Sequence, residues 1–232
     1  IPGSSVTQSG LLYYVMSQDV LGFSSSSDTL GAAVNFASGT LTTNSASGSA
    51  YPTGLPIDAW RLISTPAVLN ETGLTQVFDE LGTQDNTVWR VFRYDDVSNT
   101  YKDNPIDLNS TESYWIYQKT EDNLTMDTPA GKTGDMAGTE ITLKTGWNFI
   151  GSPYPFRVPL QLDQVQFYGP LTYGISGESW SPVVTELDPW NGYVVYNRMS
   201  TDQIITLDPS IGSGTTVARK VEESGWLESL DL

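Results

Sequence analysis

Apolar and polar residues alternate along most of this chain in short stretches, separated by clusters of Gly, Ser, Asn, Asp and Pro. That pattern predicts many short strands joined by turns. Strand-like runs fall at residues 11–16, 29–36, 59–64, 87–94, 114–117, 147–151, 167–173, 180–184, 193–196 and 204–207. Tyr114-Trp115-Ile116-Tyr117 is apolar without a break, which predicts a strand buried on both faces or sitting centrally in its sheet. Only one stretch changes period. Leu74, Val77, Phe78 and Leu81 stand at i, i+3, i+4 and i+7, which predicts a short amphipathic helix over about 72–81, with Thr72 or Asn70 as N-cap and Gly82 just past its end.

The pattern also repeats. Trp60-Arg61-Leu62-Ile63-Ser64-Thr65-Pro66 returns as Trp147-Asn148-Phe149-Ile150-Gly151-Ser152-Pro153, and residues 94–119 align without a gap on residues 173–198. Tyr94/Tyr173, Leu108/Leu187, Tyr114/Tyr193 and Tyr117/Tyr196 are identical, while Tyr101/Trp180 and Ile116/Val195 keep their character. The offset falls from 87 at the tryptophans (60 to 147) to 79 at the tyrosines (94 to 173), so the second copy lacks the helical region. Matched aromatic positions are expected to make the core of each unit. The fold class is therefore all-β, with two homologous β-rich units packed as a sandwich or barrel-like pair and one short helix in the first.

The expected organisation is closing strands of an upstream module (1–36), a Ser/Thr/Gly-rich solvated linker (37–58), a first repeat (59–130), a second repeat (131–210) and a C-terminal segment (211–232). Trp226 in that last segment would cap the fold or open a further unit.

Charge and chemistry narrow the function. Eleven basic residues face 27 acidic ones, a formal charge of −16, which excludes nucleic acid and anionic membrane as natural partners because both need a basic footprint. Cysteine and histidine are both absent, so disulfide scaffolds, thiolate and imidazole metal sites, and Ser-His-Asp or Cys-His catalysis are all ruled out. No catalytic constellation is present, and the chain is read as a non-enzyme. No apolar run reaches the roughly 20 residues of a helical membrane span, and no membrane insertion is expected.

Three tryptophans without an aromatic counterpart in the other copy, Trp89, Trp115 and Trp190, are the candidate ligand residues, because an aromatic ring spared from a shared core can stack on a sugar face. Asp95, Asp96 and Asp103 lie in or beside one tight turn and are the candidate calcium ligands. An ordinary Asp-rich turn explains them better: the corresponding loop, Gly174-Ile175-Ser176-Gly177-Glu178, lacks the carboxylate set. No other cofactor is expected.

Two segments carry a resemblance. Tyr13-Tyr14-Val15-Met16 leading into Asp19-Val20-Leu21-Gly22-Phe23 resembles the closing strands of bacterial immunoglobulin-like or fibronectin-type-III-like modules. The stretch Gly146-Trp147-Asn148-Phe149-Ile150-Gly151-Ser152-Pro153-Tyr154-Pro155 resembles the GWNLIGNP-type segments of large secreted and surface proteins of Bacteroidetes-like bacteria. The resemblance implies an extracellular or cell-surface β-rich module of a multidomain protein. Its partners would then be other domains of the same polypeptide or cell-surface components, and its work structural or adhesive. A carbohydrate-binding module is the alternative, and an accessory domain of a secreted hydrolase a second one.

Overall fold

A computed structural model describes residues 11–27, 30–46, 48–174 and 178–209. The C-terminal segment with Trp226, and the centre of the second-unit loop that corresponds in sequence to the Asp-rich turn, lie outside the described residues. An N-terminal ribbon holds β1 (Leu11–Tyr13), β2 (Met16–Gln18), β3 (Ser24–Ser26) and β4 (Leu30–Ala32), followed by β5 (Asn35–Phe36). The first unit contributes β6 (Arg61–Ile63), β7 (Val68–Leu69), helix α1 (Leu74–Val77), β8 (Trp89–Asp95), β9 (Thr100–Asp103) and β10 (Tyr114–Gln118). Then come β11 (Gly131–Lys132), β12 (Thr139–Leu143), β13 (Gly146–Ile150), β14 (Val158–Pro159), β15 (Phe167–Leu171), β16 (Glu186–Leu187), β17 (Tyr193–Asn197) and β18 (Gln203–Leu207). All pairings between these strands are antiparallel. The protein is all-β.

Each unit is centred on a strand flanked by two others. The order is β6-β10-β8-β9 in the first and β13-β17-β15 in the second. The registers agree: Tyr114 faces Ile63 as Tyr193 faces Ile150, and Gln118 faces Trp89 as Asn197 faces Phe167. A bulge in β15 between Tyr168 and Leu171 absorbs one residue, so the partner of Trp89 is Phe167. Trp89 therefore does have an aromatic counterpart, and extending the constant offset of 79 back from Tyr94 also gives it one, Tyr168.

Buried polar groups also occur in corresponding pairs. The backbone N–H of Asn109 donates to Tyr114 Oη at 2.6 Å, and that of Asp188 donates to Tyr193 Oη at 2.6 Å. Burial pushes both phenols well above their ordinary pKa, so they stay protonated. At the far end of each central strand a buried carboxamide pins the next turn: Gln118 Oε1 accepts from Thr120 N–H, and Asn197 Oδ1 from Met199 N–H. Their amide nitrogens donate to Leu55 O and Leu143 O respectively. These groups sit deep in the two cores and leave no buried amide orphaned there.

Not all matched aromatics are core. Tyr114, Tyr193, Leu108 and Leu187 are buried as expected. Tyr94, Tyr173 and Tyr117 are only half-buried, Tyr196 is more exposed, and Tyr101 and Trp180 are 52% and 46% exposed. Strand β10 alternates accordingly, with Tyr114, Ile116 and Gln118 inward and Trp115 and Tyr117 half-buried on the outer face. Its unbroken apolar run belongs to a central strand, paired with β6 and β8, that has two different apolar faces and is not buried on both.

Three boundaries differ from expectation. Residues 37–58 are no solvated linker: Leu41, Tyr51 and Leu55 are buried in the first core, and Leu55 exchanges backbone hydrogen bonds with Leu124. A few apolar anchors suffice because side-chain and backbone partners satisfy the polar remainder, as when Thr43 N–H donates to Met126 O and Met126 N–H to Thr43 Oγ1. Strand β11 falls beyond residue 130 yet pairs with β5 and β7, and Trp190 packs in the first core. The helix is shorter than its period suggested. Its N-cap Gly73 supplies no side-chain bond, and Phe78 at φ −120°, ψ 45° breaks it before a 3₁₀ turn at Asp79–Leu81. Leu74, Val77, Phe78 and Leu81 are nonetheless all buried.

The units meet about a local two-fold axis. Ser64 N–H donates to Trp190 O and Gly192 N–H to Leu62 O, while Gly151 N–H donates to Thr111 O and Ser113 N–H to Phe149 O. Each bond of the first pair becomes its mate in the second when the units are exchanged. A Cβ on Gly151 would stand 2.6 Å from Ser64 Cβ, and one on Gly192 2.6 Å from Ser113 Cβ. In both cases the facing residues are counterparts, and only one of the two can carry a side chain.

Two measurements check this packing. Tyr114→Ala and Tyr193→Ala should each lower unfolding free energy by about 3–5 kcal/mol, as other buried aromatic truncations do. Gly192→Ser should cost about 1–3 kcal/mol by overpacking, and Ser113→Gly about 1 kcal/mol for its lost hydrogen bond to Tyr193 O. The double exchange should be less destabilised than the sum by at least about 1 kcal/mol, read by denaturant unfolding. Strict additivity would show that these positions do not oppose each other.

Candidate functional site

Strand parity places a band of rings on the outer face. In β8 Val91 and Trp89 turn inward, which sends Phe92, Arg90 and Tyr94 outward beside Trp115 and Tyr117 of β10. Trp60, just before β6, lies with its ring 5.2 Å from Tyr117 and 5.7 Å from Phe92. The second unit adds Tyr173 and Trp180, bridged to each other through their backbones and packed at 5.1 and 5.8 Å from Trp115. Trp60, Phe92, Tyr101, Trp115, Tyr173 and Trp180 line a shallow groove of about 430 Å³, within the roughly 300–1,000 Å³ of small-molecule sites. Its floor is fixed. Trp115 and Tyr173 pack on the buried trio Leu62, Leu171 and Val194 contributed by both units.

Trp115 meets Trp60, Tyr173 and Trp180 edge-to-face, while Trp60 is tilted against Phe92 and Tyr117, and Trp60, Tyr101 and Trp180 stay partly exposed. Arg90 lies over Phe92 at 4.9 Å and Lys119 over Tyr117 at 5.8 Å, cation–π contacts that stiffen the rim.

Of the three tryptophans singled out in the sequence, Trp115 sits in this groove. Trp89 and Trp190 do not: both are 0% exposed in the first core, and a ring with no open face cannot stack on a ligand. Trp89, matched by Phe167, and Trp190, matched only by Thr111, both fill core volume. The groove residues that sequence reasoning missed, Trp60, Tyr101, Tyr173 and Trp180, were assigned to the core because they are matched between copies. Parity would have found them, since residues on the outer face share alternation with Trp115 and not with Tyr114.

The Asp-rich hairpin uses its carboxylates on its own cations. Asp95 Oδ2 contacts Lys102 Nζ at 2.5 Å and accepts from Ser98 Oγ at 2.8 Å, bonds that hold its pKa down to about 2. Asp103 pairs with Arg90 at 2.7 Å. Asp95 lies opposite Thr100 and Asp103 opposite Phe92, three residues apart along β9 and so about 10 Å. Asp95, Asp96 and Asp103 are thus not brought together as a calcium cage.

A different set converges. One carboxylate oxygen each from Asp79, Glu80 and Asp127 lie within 4.8 Å of one another. Glu80 Oε1 accepts from Asp127 N–H, and its Oε2 is buried without a partner among the described residues. Burial, then the neighbouring Asp127 and Asp79, raise the Glu80 pKa to about 7. These are the carboxylates best placed to share a cation.

No protein-family profile, curated protein or solved structure matches the chain.

The raised pKa of Glu80 has a stability consequence. Its folded value of about 7 exceeds the reference 4.5, so between those pH values the folded state binds more protons than the unfolded one. Stability must fall as pH rises from 4.5 to 7 and level off above. After allowance for solvent screening at its open side the loss is about 1–2 kcal/mol, or several degrees in Tm. Glu80→Gln keeps the Asp127 contact without a charge and should flatten this slope, raising Tm at pH 8. A thermal-shift series over pH 4.5–8 in the two proteins decides it.

Proposed function

We propose that this chain is a non-catalytic carbohydrate-binding module of a larger extracellular, cell-surface protein, and that sugars lie along the outer aromatic groove. One observation carries the reading. Trp60, Tyr101 and Trp180 keep 37%, 52% and 46% of their surface exposed on a preformed apolar floor, where a purely structural module would bury such rings or replace them with polar residues. Contiguous exposed apolar area of this kind marks interaction sites. Flat rings with few polar neighbours suit the C–H face of a pyranose, and the adhesive role expected from the sequence would then run through glycan.

The wider setting rests on other features. Matching registers, paired tyrosine latches and the two-fold contacts support descent of both units from one duplicated ancestor. The GWNLIGNP-like segment forms β13 and the turn after it, so the resemblance to Bacteroidetes-like surface proteins involves a strand that pairs directly with β17. The ribbon β1–β4 leaves Val15, Met16, Val20, Leu21 and Phe23 exposed. That supports its reading as part of an immunoglobulin-like neighbour, since a two-stranded ribbon is marginal alone.

A glycan array on the purified chain tests the proposal. Reproducible binding to one sugar class is expected, weakened at least tenfold by Trp180→Ala and by Trp115→Ala. Trp147→Ala, outside the groove, should bind as the parent does. No binding across the array, or equal binding by all variants, would return the chain to a structural role.

A further inference from the structure

The two-fold arrangement gives two equivalent junctions between the units, and the residue at each differs. On one side Trp190, whose carbonyl accepts from Ser64 N–H, is wholly buried in the first core. The corresponding backbone position on the other side is Thr111, whose carbonyl accepts from Gly151 N–H. The second core takes its large ring from its own Tyr154, the counterpart of Ala67, so Thr111 stays outside that core. A cleft of about 380 Å³ remains there, lined by Thr111 together with Arg93, Tyr94, Glu112, Glu140, Lys144 and Phe149.

This cleft differs in character from the groove. Two cations and three acids border it, counting Asp96. Arg93 is engaged by Glu112 at 2.7 Å and Lys144 by Asp202 at 2.7 Å, so an anionic ligand would find no spare cation and would meet an excess of negative charge. Glu140 is exposed in strand β12, and its carboxylate has no hydrogen bond or ion pair among the described residues. Acceptors of this kind, beside guanidinium N–H groups that Glu112 does not use, suit hydroxyls that both donate and accept. Stacked Tyr94 and Phe149, 4.8 Å apart, form an apolar wall.

The cleft also adjoins the groove. Tyr101 lines the groove, and its ring lies 5.5 Å from Tyr94 and 5.9 Å from Phe149. A chain on the aromatic face would pass Tyr101 and reach this wall. Resting on the carbohydrate reading above, we propose that the cleft is a second subsite that takes a neutral terminal sugar of the glycan held in the groove. The duplicated fold would thus have one junction closed by Trp190 and the other kept open for ligand.

The other junction supplies its own test, Thr111→Trp. Isothermal titration of the whole chain with neutral linear hexasaccharides of glucose, xylose and mannose should show one that binds. Thr111→Trp should weaken it about tenfold or more, and Glu140→Ala severalfold, with Tm of Glu140→Ala unchanged. If Thr111→Trp does not fold, Glu140→Ala alone decides. Parent-like affinity in the deciding variant, with Trp180→Ala still weakened, overturns the cleft and leaves the groove standing. Failure of every hexasaccharide to bind the parent chain removes both.

Discussion

Four backbone hydrogen bonds across the local two-fold axis set the geometry on which everything else depends. They join the end of β6 to the residues before β17, and the end of β13 to the residues before β10. Backbones this close leave no room for two side chains, and the sequence answers with Ser64 against Gly151 and Ser113 against Gly192. A symmetric dimer of identical chains could not make that choice, because both facing positions would carry the same residue. Joining the two units in one chain lets serine stand on one side and glycine on the other. The serines then add hydrogen bonds of their own, Ser64 Oγ to Asn191 O at 2.7 Å and Ser113 Oγ to Tyr193 O at 3.1 Å.

The same freedom lets the cores diverge. In the first unit the buried Ala67 shares its cluster with Trp190. In the second, the corresponding positions are Tyr154, buried with its hydroxyl bonded to Asp135 O, and Thr111 at the cleft. A large residue drawn from across the axis serves one core and a large residue of its own serves the other. Trp190 leaves its indole N–H without a partner among the described residues, a cost of about 1–3 kcal/mol. Removal of so large a buried ring would cost about 3–5 kcal/mol, so burial prevails.

The all-β class and most of the central strands were readable in the sequence because alternation and matched aromatics are local signals, whereas the registers were not, and the strand expected at 180–184 is only an isolated bridge at Trp180. What alternation cannot say is which face is the core. In β10 both faces are aromatic or aliphatic, and the inward set of Tyr114 and Ile116 looks much like the outward set of Trp115 and Tyr117. The groove was therefore legible only through Trp115, while Trp60 and Trp180 were lost among core assignments. Trp89 was misjudged for a different reason: it lies just before the block of residues 94–119 that was compared, and its counterpart is aromatic in either register, Tyr168 at the constant offset or Phe167 across the bulge. Residues 37–58 carry too few apolar side chains to signal burial, and they are held by hydrogen bonds to segments some 80 residues away, such as Thr43 to Met126. No local pattern encodes those partners.

Acidity and aromaticity then divide the surface between them. A formal charge of −16 repels anionic polymers over the whole molecule within the roughly 8–10 Å reach of charges at physiological salt. On the outer face the cations Arg90 and Lys119 are instead drawn over Phe92 and Tyr117, so the aromatic band is edged by cations on an otherwise acidic protein. Binding there has to come from dispersion and desolvation of flat surfaces, which are indifferent to ionic strength. A rigid floor matters for that reason: stacking contacts are individually weak, and ordering mobile rings on binding would consume much of what they contribute. Leu62, Leu171 and Val194 hold Trp115 and Tyr173 in place before any ligand arrives. The junction that makes the fold is also what preorganises its binding face.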